Sequence, residues 1–301
     1  MSLLTDIENL HAQQTADIVL INNNYLALRN IESREFQIGV MRVTAVHNPT
    51  RAISSAAKVD KASIAARPCF LCRENRLEGQ QSVICCNGRY EILVNPYPIF
   101  DRHFVIASTF HEPQALKGRI KDVWHLAEEL KGYTVFYNGP RCGASAPDHM
   151  HFQAVESSRL PLWNTLNNTD LQCCVAYGKS SLSKTSGLPM QIIVMDAATP
   201  EDASAFMTMI LPHLPIDDTE EWEPRFNLLA SSDGDRVRIA VIPRPRHRPS
   251  IYTGNPDDKK GMIISPASVD VAGVFVLPRR IDFDRVDENL IKTIYRETCN
   301  I

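Results

Sequence analysis

Apolar and polar positions along this chain follow two periods, and the switches between them mark the expected elements. A helix is expected over Leu3–His11, followed by strand-like runs such as Phe36–Val46. Tyr90–Val94 reads as a strand. Asn95-Pro96-Tyr97-Pro98 reads as a turn, because each Pro fixes φ and biases the residue before it away from helix. His103–Ala107 reads as the next strand. Pro113 suits the first position of a helix, where its missing N–H costs nothing. Leu116, Ile120, Val123, Ala127 and Leu130 follow on one helical face, and Gly132 ends the run. Tyr133–Tyr137 and His149–Val155 are strands on either side of a Gly/Ser/Pro loop, 138–147.

The second half repeats this order loosely. A helix over Glu201–Leu214 precedes the strand Phe226–Ala230, an Asp233-Gly234 hairpin turn and the strand Val237–Ile242. Loop sequence from Gly261 leads to a core strand at Val274–Leu277, and Asp282–Arg296 reads as a terminal helix. Helix, strand, connection, strand in both halves predicts an α+β protein of two related units, 1–160 and 161–301, each on antiparallel or mixed sheet. The strand of the second half that matches His149–Gln153 carries no His pair, so one active site per chain is expected.

Composition narrows the function. The 301 residues are 44% apolar and 22% charged with a net charge of −3, a globular balance that argues against a nucleic-acid binder. Met1–Gln14 has early acidic residues and no basic segment before an apolar run, and no apolar stretch reaches the roughly 20 residues of a membrane span. The expected compartment is the cytoplasm, with no membrane partner and with thiols reduced. Of the eight cysteines, the adjacent pairs Cys85-Cys86 and Cys173-Cys174 read as small buried hydrophobes. Only Cys69-Phe70-Leu71-Cys72 has a spacing with chemistry behind it.

His149-Met150-His151-Phe152-Gln153 is the candidate reactive strand. Alternate residues of a strand share a face, so two imidazoles and an amide project together while Met150 and Phe152 point into the core. A neutral imidazole can attack phosphorus, and an amide can bond the phosphoryl oxygens as charge develops. The preceding loop, Gly139 to Pro147, brings backbone N–H groups, the Ser145 hydroxyl and Arg141 to wrap an anion. A metal site using both His is the rival reading.

Asn138-Gly139-Pro140 through Gly143-Ala144-Ser145 to His149-x-His151-x-Gln153 resembles the active-site signature of one branch of the histidine triad (HIT-like) superfamily. That branch holds galactose-1-phosphate uridylyltransferases, diadenosine tetraphosphate phosphorylases and GDP-galactose phosphorylases. Arg67-Pro68-Cys69-Phe70-Leu71-Cys72 is similar to the zinc-binding segment of the uridylyltransferases. Asn95–Pro98 with His103–Ile106, and Phe226–Leu229 with Ile242-Pro243-Arg244, resemble the branch's paired strands. The combination looks most like a bacterial subgroup.

The resemblance implies a nucleotidyltransferase or phosphorylase with His151 as nucleophile and Gln153 bonding the phosphoryl oxygens. Ser145 and Asn95 would contact substrate. The implied substrate is a nucleoside diphosphate sugar or dinucleoside polyphosphate, with phosphate or a sugar phosphate as acceptor, in a monomer or homodimer. A structural zinc ion held by Cys69, Cys72, His111 and His149 is implied as well. Asp148 is an extra residue relative to the uridylyltransferase pattern, placed either to shift the phosphate loop or to bond an imidazole. Cations for phosphates are expected at Arg51, with Lys58 and Lys61, and at Arg244 and Arg246 in the run Arg244-Pro245-Arg246-His247-Arg248-Pro249. The competing readings are a hydrolase with water as acceptor and a non-catalytic, zinc-stabilised nucleotide sensor.

Overall fold

The structure, a computed structural model, describes residues 2–51, 60–216 and 223–300. Lys58 and the side chain of Lys61 lie outside the described residues. Among the described residues thirteen strands run in chain order: β1 Glu32–Ile38, β2 Met41–His47, β3 Val83–Cys85, β4 Tyr90–Val94, β5 His103–Ser108, β6 Tyr133–Asn138 and β7 His151–Glu156. They continue with β8 Leu171–Tyr177, β9 Ser180–Thr185, β10 Ile193–Ala197, β11 Phe226–Ser232, β12 Val237–Pro243 and β13 Val274–Leu277.

Ten of these form one sheet in the order β3-β4-β5-β7-β6-β11-β12-β10-β9-β8, antiparallel throughout. Its two ends have the same layout. Counted inward from the edge, β3, β4, β5, β7, β6 match β8, β9, β10, β12, β11, and a helix (Ile120–Glu129 or Pro200–Ile210) connects the third strand to the strand beside the midline. The midline is the β6–β11 pair, where Asn138 stands opposite Asn227. The fold class is therefore the α+β arrangement the patterning predicts.

Strand alternation sorts side chains onto two faces. Phe152 and Ala154 of β7, Val135 and Tyr137 of β6, and Phe226, Leu228 and Ala230 of β11 pack with helices Leu3–Asp17, Val19–Ala27, Ile120–Glu129 and Pro200–Ile210. Phe136, Val155, Leu229 and Ala240 face the other way, onto helices Pro161–Asn167 and Glu288–Cys299 and the small sheet β1-β2-β13. In that small sheet β1 and β2 form a hairpin through Gly39, and β13 lies parallel to β2. His151 and Gln153 lie on the second face, where this covering layer leaves a cavity.

Four local expectations are corrected. The helix starts at Ile120 and not near Pro113. Residues 112–114 run beside the segment that leads into β7 instead, with the Met150 N–H donating to Glu112 O at 2.7 Å and Gln114 N–H to Pro147 O at 3.0 Å. Gly118 at φ +78° then redirects the chain into the helix, so Leu116 is buried without being helical. The terminal helix is two, Arg280–Arg285 and Glu288–Cys299, because the Asp287 carboxylate accepts from Leu290 N and starts a new N-terminus. Phe36–Val46 is split by the hairpin turn. Cys173 and Cys174 are exposed, and among the described residues β8 is the outer edge of the large sheet, paired on one side alone.

Candidate active site and metal centre

The site is built where β5, β7 and β6 lie side by side at the middle of the large sheet. β7 begins at His151, two residues later than expected, and His149 sits in the turn before it. The two imidazoles therefore face different surroundings. His149 turns to the cysteines, and His151 lines a cavity of about 580 Å³.

His151 is 3% exposed and held from three sides. Its backbone N–H donates to Oε1 of Gln114 at 2.8 Å, and its carbonyl accepts from Gln114 Nε2 at 3.0 Å. Its Nδ1 lies 2.8 Å from the carbonyl oxygen of His149. A carbonyl can only accept, so Nδ1 carries the ring proton and the lone pair of the neutral ring sits on Nε2. Burial, with the neighbouring His149, lowers the His151 pKa to about 4 and keeps the ring neutral.

Gln153 is oriented by a residue the sequence reading did not single out. The Ile99 N–H donates to Nδ1 of His103 at 3.1 Å, so the proton of His103 is on Nε2, which donates to Oε1 of Gln153 at 2.8 Å. His103 is fully buried, and burial plus the charge of Arg51 lowers its pKa to about 3. With its oxygen taken, Gln153 has its NH2 group left to donate in the cavity it lines. Asn95 lies against the same ring, Nδ2 to Nε2 3.2 Å, and its Oδ1 accepts from Tyr97 N–H at 2.9 Å.

Asn95, Ser145 and Arg51 line the cavity with His151 and Gln153. Arg51 donates from Nη1 to Tyr97 O at 2.6 Å. Arg244 and Arg246 do not line it, which corrects the expectation of phosphate-facing cations there. Arg244 is completely buried. It donates to Thr298 O, Pro266 O, His247 O and Asn227 Oδ1, and so ties the loops of the second half to the sheet midline. Arg246 is exposed. The same run reaches the cavity through His247 and Arg248. Alternating prolines hold it extended, but which side chains turn inward depends on the loop's path.

Asp148 bonds neither imidazole. Its Oδ1 accepts from Arg67 Nη2 at 2.8 Å, and the Arg67 guanidinium stands 5.1 Å from the Phe70 ring centroid. The extra residue thus anchors the segment that leads into Cys69-x-x-Cys72. The loop 138–147 is packed against the second half: Gly143 has φ +97°, and a Cβ there would overlap the Cβ of Ala267. Only glycine fits that approach.

Cys69, Cys72, His111 and His149 form a cluster that could hold a metal ion, their ligand atoms all within 4.8 Å of one another. Cys69 Sγ to His149 Nδ1 is 3.3 Å, Cys72 Sγ to His111 Nδ1 is 3.3 Å, and Cys72 Sγ to His149 Nδ1 is 3.6 Å. The S···N edges of a tetrahedron around zinc, with Zn–S about 2.3 Å and Zn–N about 2.0 Å, are about 3.5 Å. Nε2 of His149 lies 2.9 Å from the Ser108 carbonyl, which puts its proton there and leaves Nδ1 free to ligate. Donor set, spacing and tautomer all fit a tetrahedral ion.

Residues 10–156 match the family model "Domain of unknown function (DUF4922)", and residues 168–299 match "GDPGP1-like, C-terminal domain". No curated protein sequence matches the chain. Among solved structures, yeast Ap4A phosphorylase Apa2 superposes with a TM-score of 0.60 at 15% identity, covering 94% of each chain. Its complex with AMP gives a TM-score of 0.60 at 16% identity over 94% of this chain and 96% of that one. The complex with Ap4A gives 0.57 at 14% identity over 94% and 97%. At such identities the likeness establishes a shared fold. The chain therefore shares the fold of yeast Ap4A phosphorylase, and its second half is similar to the GDPGP1-like C-terminal domain.

Proposed function

We propose that the protein is a nucleotidyltransferase or phosphorylase that works through a nucleotidyl-His151 intermediate, on a nucleoside diphosphate sugar or dinucleoside polyphosphate. One observation carries this reading. The bond from Nδ1 of His151 to the His149 carbonyl fixes the tautomer whose Nε2 is nucleophilic, on the wall of a nucleotide-sized cavity.

The reaction balances without an outside oxidant or reductant. Nε2 gives its electron pair to the α-phosphorus, and the bond from that phosphorus to the bridging oxygen breaks. The leaving phosphate departs with those electrons. An oxygen of a phosphate or sugar phosphate then attacks the same phosphorus, the P–N bond breaks, and its electron pair returns to Nε2. The NH2 of Gln153 donates to the phosphoryl oxygens as charge builds on them. Ser145, on the loop that Gly143 packs against Ala267, contacts a phosphate of substrate or leaving group.

Cys69, Cys72, His111 and His149 would hold a zinc ion, which when bound cross-links the segments before β7 and fixes the His149 carbonyl that orients His151. Among the described residues no helix is long and apolar enough to cross a membrane.

The test is to incubate the protein with an α-labelled nucleotide sugar or dinucleoside polyphosphate and look for acid-labile label on the protein. Label on the wild type and none on His151→Ala is expected. Normal turnover by His151→Ala would sink the reading. Products formed with and without inorganic phosphate separate phosphorolysis, which gives the nucleoside diphosphate, from hydrolysis, which gives the monophosphate.

A further inference from the structure

Among the described residues four arginines line the cavity: Arg51, Arg67, Arg76 and Arg248. Three have a carboxylate within electrostatic reach. Arg76 pairs with Glu91, Arg67 with Asp148 at 2.8 Å, and Arg51 feels the charge of Asp270. Arg248 has no carboxylate partner among the described residues. Its Nε donates to Ser265 Oγ at 3.1 Å, and its guanidinium carbon lies 4.1 Å from the centroid of the Tyr252 ring. These two contacts hold the group in place while Nη1 and Nη2 have no protein acceptor among the described residues.

The surroundings are positive as well. Ser265 Oγ also lies 3.3 Å from Nε2 of His247, and the charges acting on His247 are those of Arg248, Arg244, Arg225 and Arg141. Burial and these cations lower the His247 pKa to about 3, so a neutral ring with hydrogen-bonding capacity stands inside a cationic wall. A preorganised guanidinium with unused N–H groups, in a cavity, matches a phosphate better than any neutral group.

We propose that Arg248, held by Ser265 and Tyr252, binds the phosphate that His151 does not attack: the leaving-group phosphate first, and then the phosphate of the acceptor. In-line displacement sends the leaving group out opposite the new P–N bond, and the acceptor must enter from that same side. One anion subsite therefore serves both. Water would gain nothing from it, so the subsite favours a phosphate-bearing acceptor. The assignment of which phosphate binds rests on the reading of His151 as nucleophile, whereas the anion subsite itself does not.

Titration calorimetry of the full-length, metal-loaded protein with inorganic phosphate tests the subsite directly. Arg248→Gln is expected to raise Kd at least about tenfold with the melting temperature unchanged, and Arg248→Lys to recover part of the loss. Ser265→Ala, which frees the guanidinium without removing it, is expected to weaken binding about threefold and guards against misfolding of the Gln variant. Wild-type protein that does not bind phosphate, or an Arg248→Gln variant that binds as tightly as wild type, overturns the proposal. In turnover, Arg248→Gln should raise KM for both the nucleotide substrate and the phosphate acceptor, and a rise in one alone overturns the shared subsite. Absence of labelled intermediate in the wild type would remove the His151 reading while the phosphate titration stood. Normal labelling with Arg248-independent phosphate binding would remove this inference alone.

Discussion

The Nε2–H of His103 donates to Oε1 of Gln153 across 2.8 Å, and this bond decides which end of the Gln153 amide faces the cavity. The ring cannot turn its other nitrogen to the task, because Nδ1 already accepts from the Ile99 N–H at 3.1 Å. On the proposed mechanism His103 is thus a positioning residue that acts through Gln153. His103→Phe keeps the ring's bulk and removes the donor. It should lower kcat about ten- to a hundredfold, with KM for the nucleotide nearly unchanged, since the lost bond matters most when charge develops. His103→Gln, which restores an amide donor, should recover part of kcat. A change in KM alone would argue against the assignment.

The same residue predicts an acid limit on stability. Its pKa is lowered to about 3 by burial and Arg51, against an ordinary 6.5 in the unfolded chain. Below pH 6.5 the unfolded chain binds a proton that the folded protein refuses. The stabilisation is present above pH 6.5 and is lost as pH falls toward 3. At pH 5 this single group costs about 2 kcal/mol. Urea midpoints measured between pH 7 and pH 4.5 should fall in wild type and fall less steeply in His103→Phe.

The Cys69, Cys72, His111, His149 cluster should carry one zinc ion per chain in protein purified without chelators, read by elemental analysis. Cys72→Ser is expected to lose the metal and to cost more than about 3 kcal/mol of stability, in the range where loss of a metal belongs. Full stability of metal-free protein would contradict a structural role.

Gly143→Ala forces a side chain to φ +97° and against Ala267. A loss of about 2 kcal/mol or more is expected from backbone strain and overlap together. Ala267→Gly should relieve the overlap and leave the strain. A double-mutant cycle measured by denaturant unfolding should therefore return a favourable coupling between the two changes.

Arg244 and Arg246 lie two residues apart and should behave in opposite ways. Arg244→Met strips a fully buried cation's four hydrogen bonds and should cost about 3–5 kcal/mol. Arg246→Ala, at an exposed position, should stay within about 0.5 kcal/mol. Thermal unfolding of both variants separates the buried anchor from the solvated neighbour.

Local chemistry made much of this protein legible from its residues. Strand periodicity placed β4, β5, β6, β11 and β12 closely, because alternation and turn residues are properties of short segments. It also indicated the repeated layout of helix and strands, and the spacings Cys69-x-x-Cys72 and His149-x-His151-x-Gln153 singled out residues that the structure places in the Cys/His cluster and on the cavity wall. Where the reading failed, the cause lay elsewhere in the chain. Pro113 looked like a helix start because nothing nearby reveals that residues 112–114 would run beside the segment that leads into β7. Cys173 and Cys174 looked buried because apolar character does not say which strand will be the edge of a ten-stranded sheet.

The sequence by itself determined the fold class, through periodicity within segments, and its motifs carried the family resemblance that implied the candidate nucleophile and the four candidate metal ligands. Tertiary structure alone decided how they are aimed. The cross-strand register Val105↔Gln153 sets β5 beside β7 and brings His103 within reach of Gln153, and the turn before β7 gives His149 to the cysteines and His151 to the cavity. The path of the loop after β12 turned Arg248 inward and buried Arg244. Register and loop path are set by packing between segments far apart in the chain, and no local pattern encodes them.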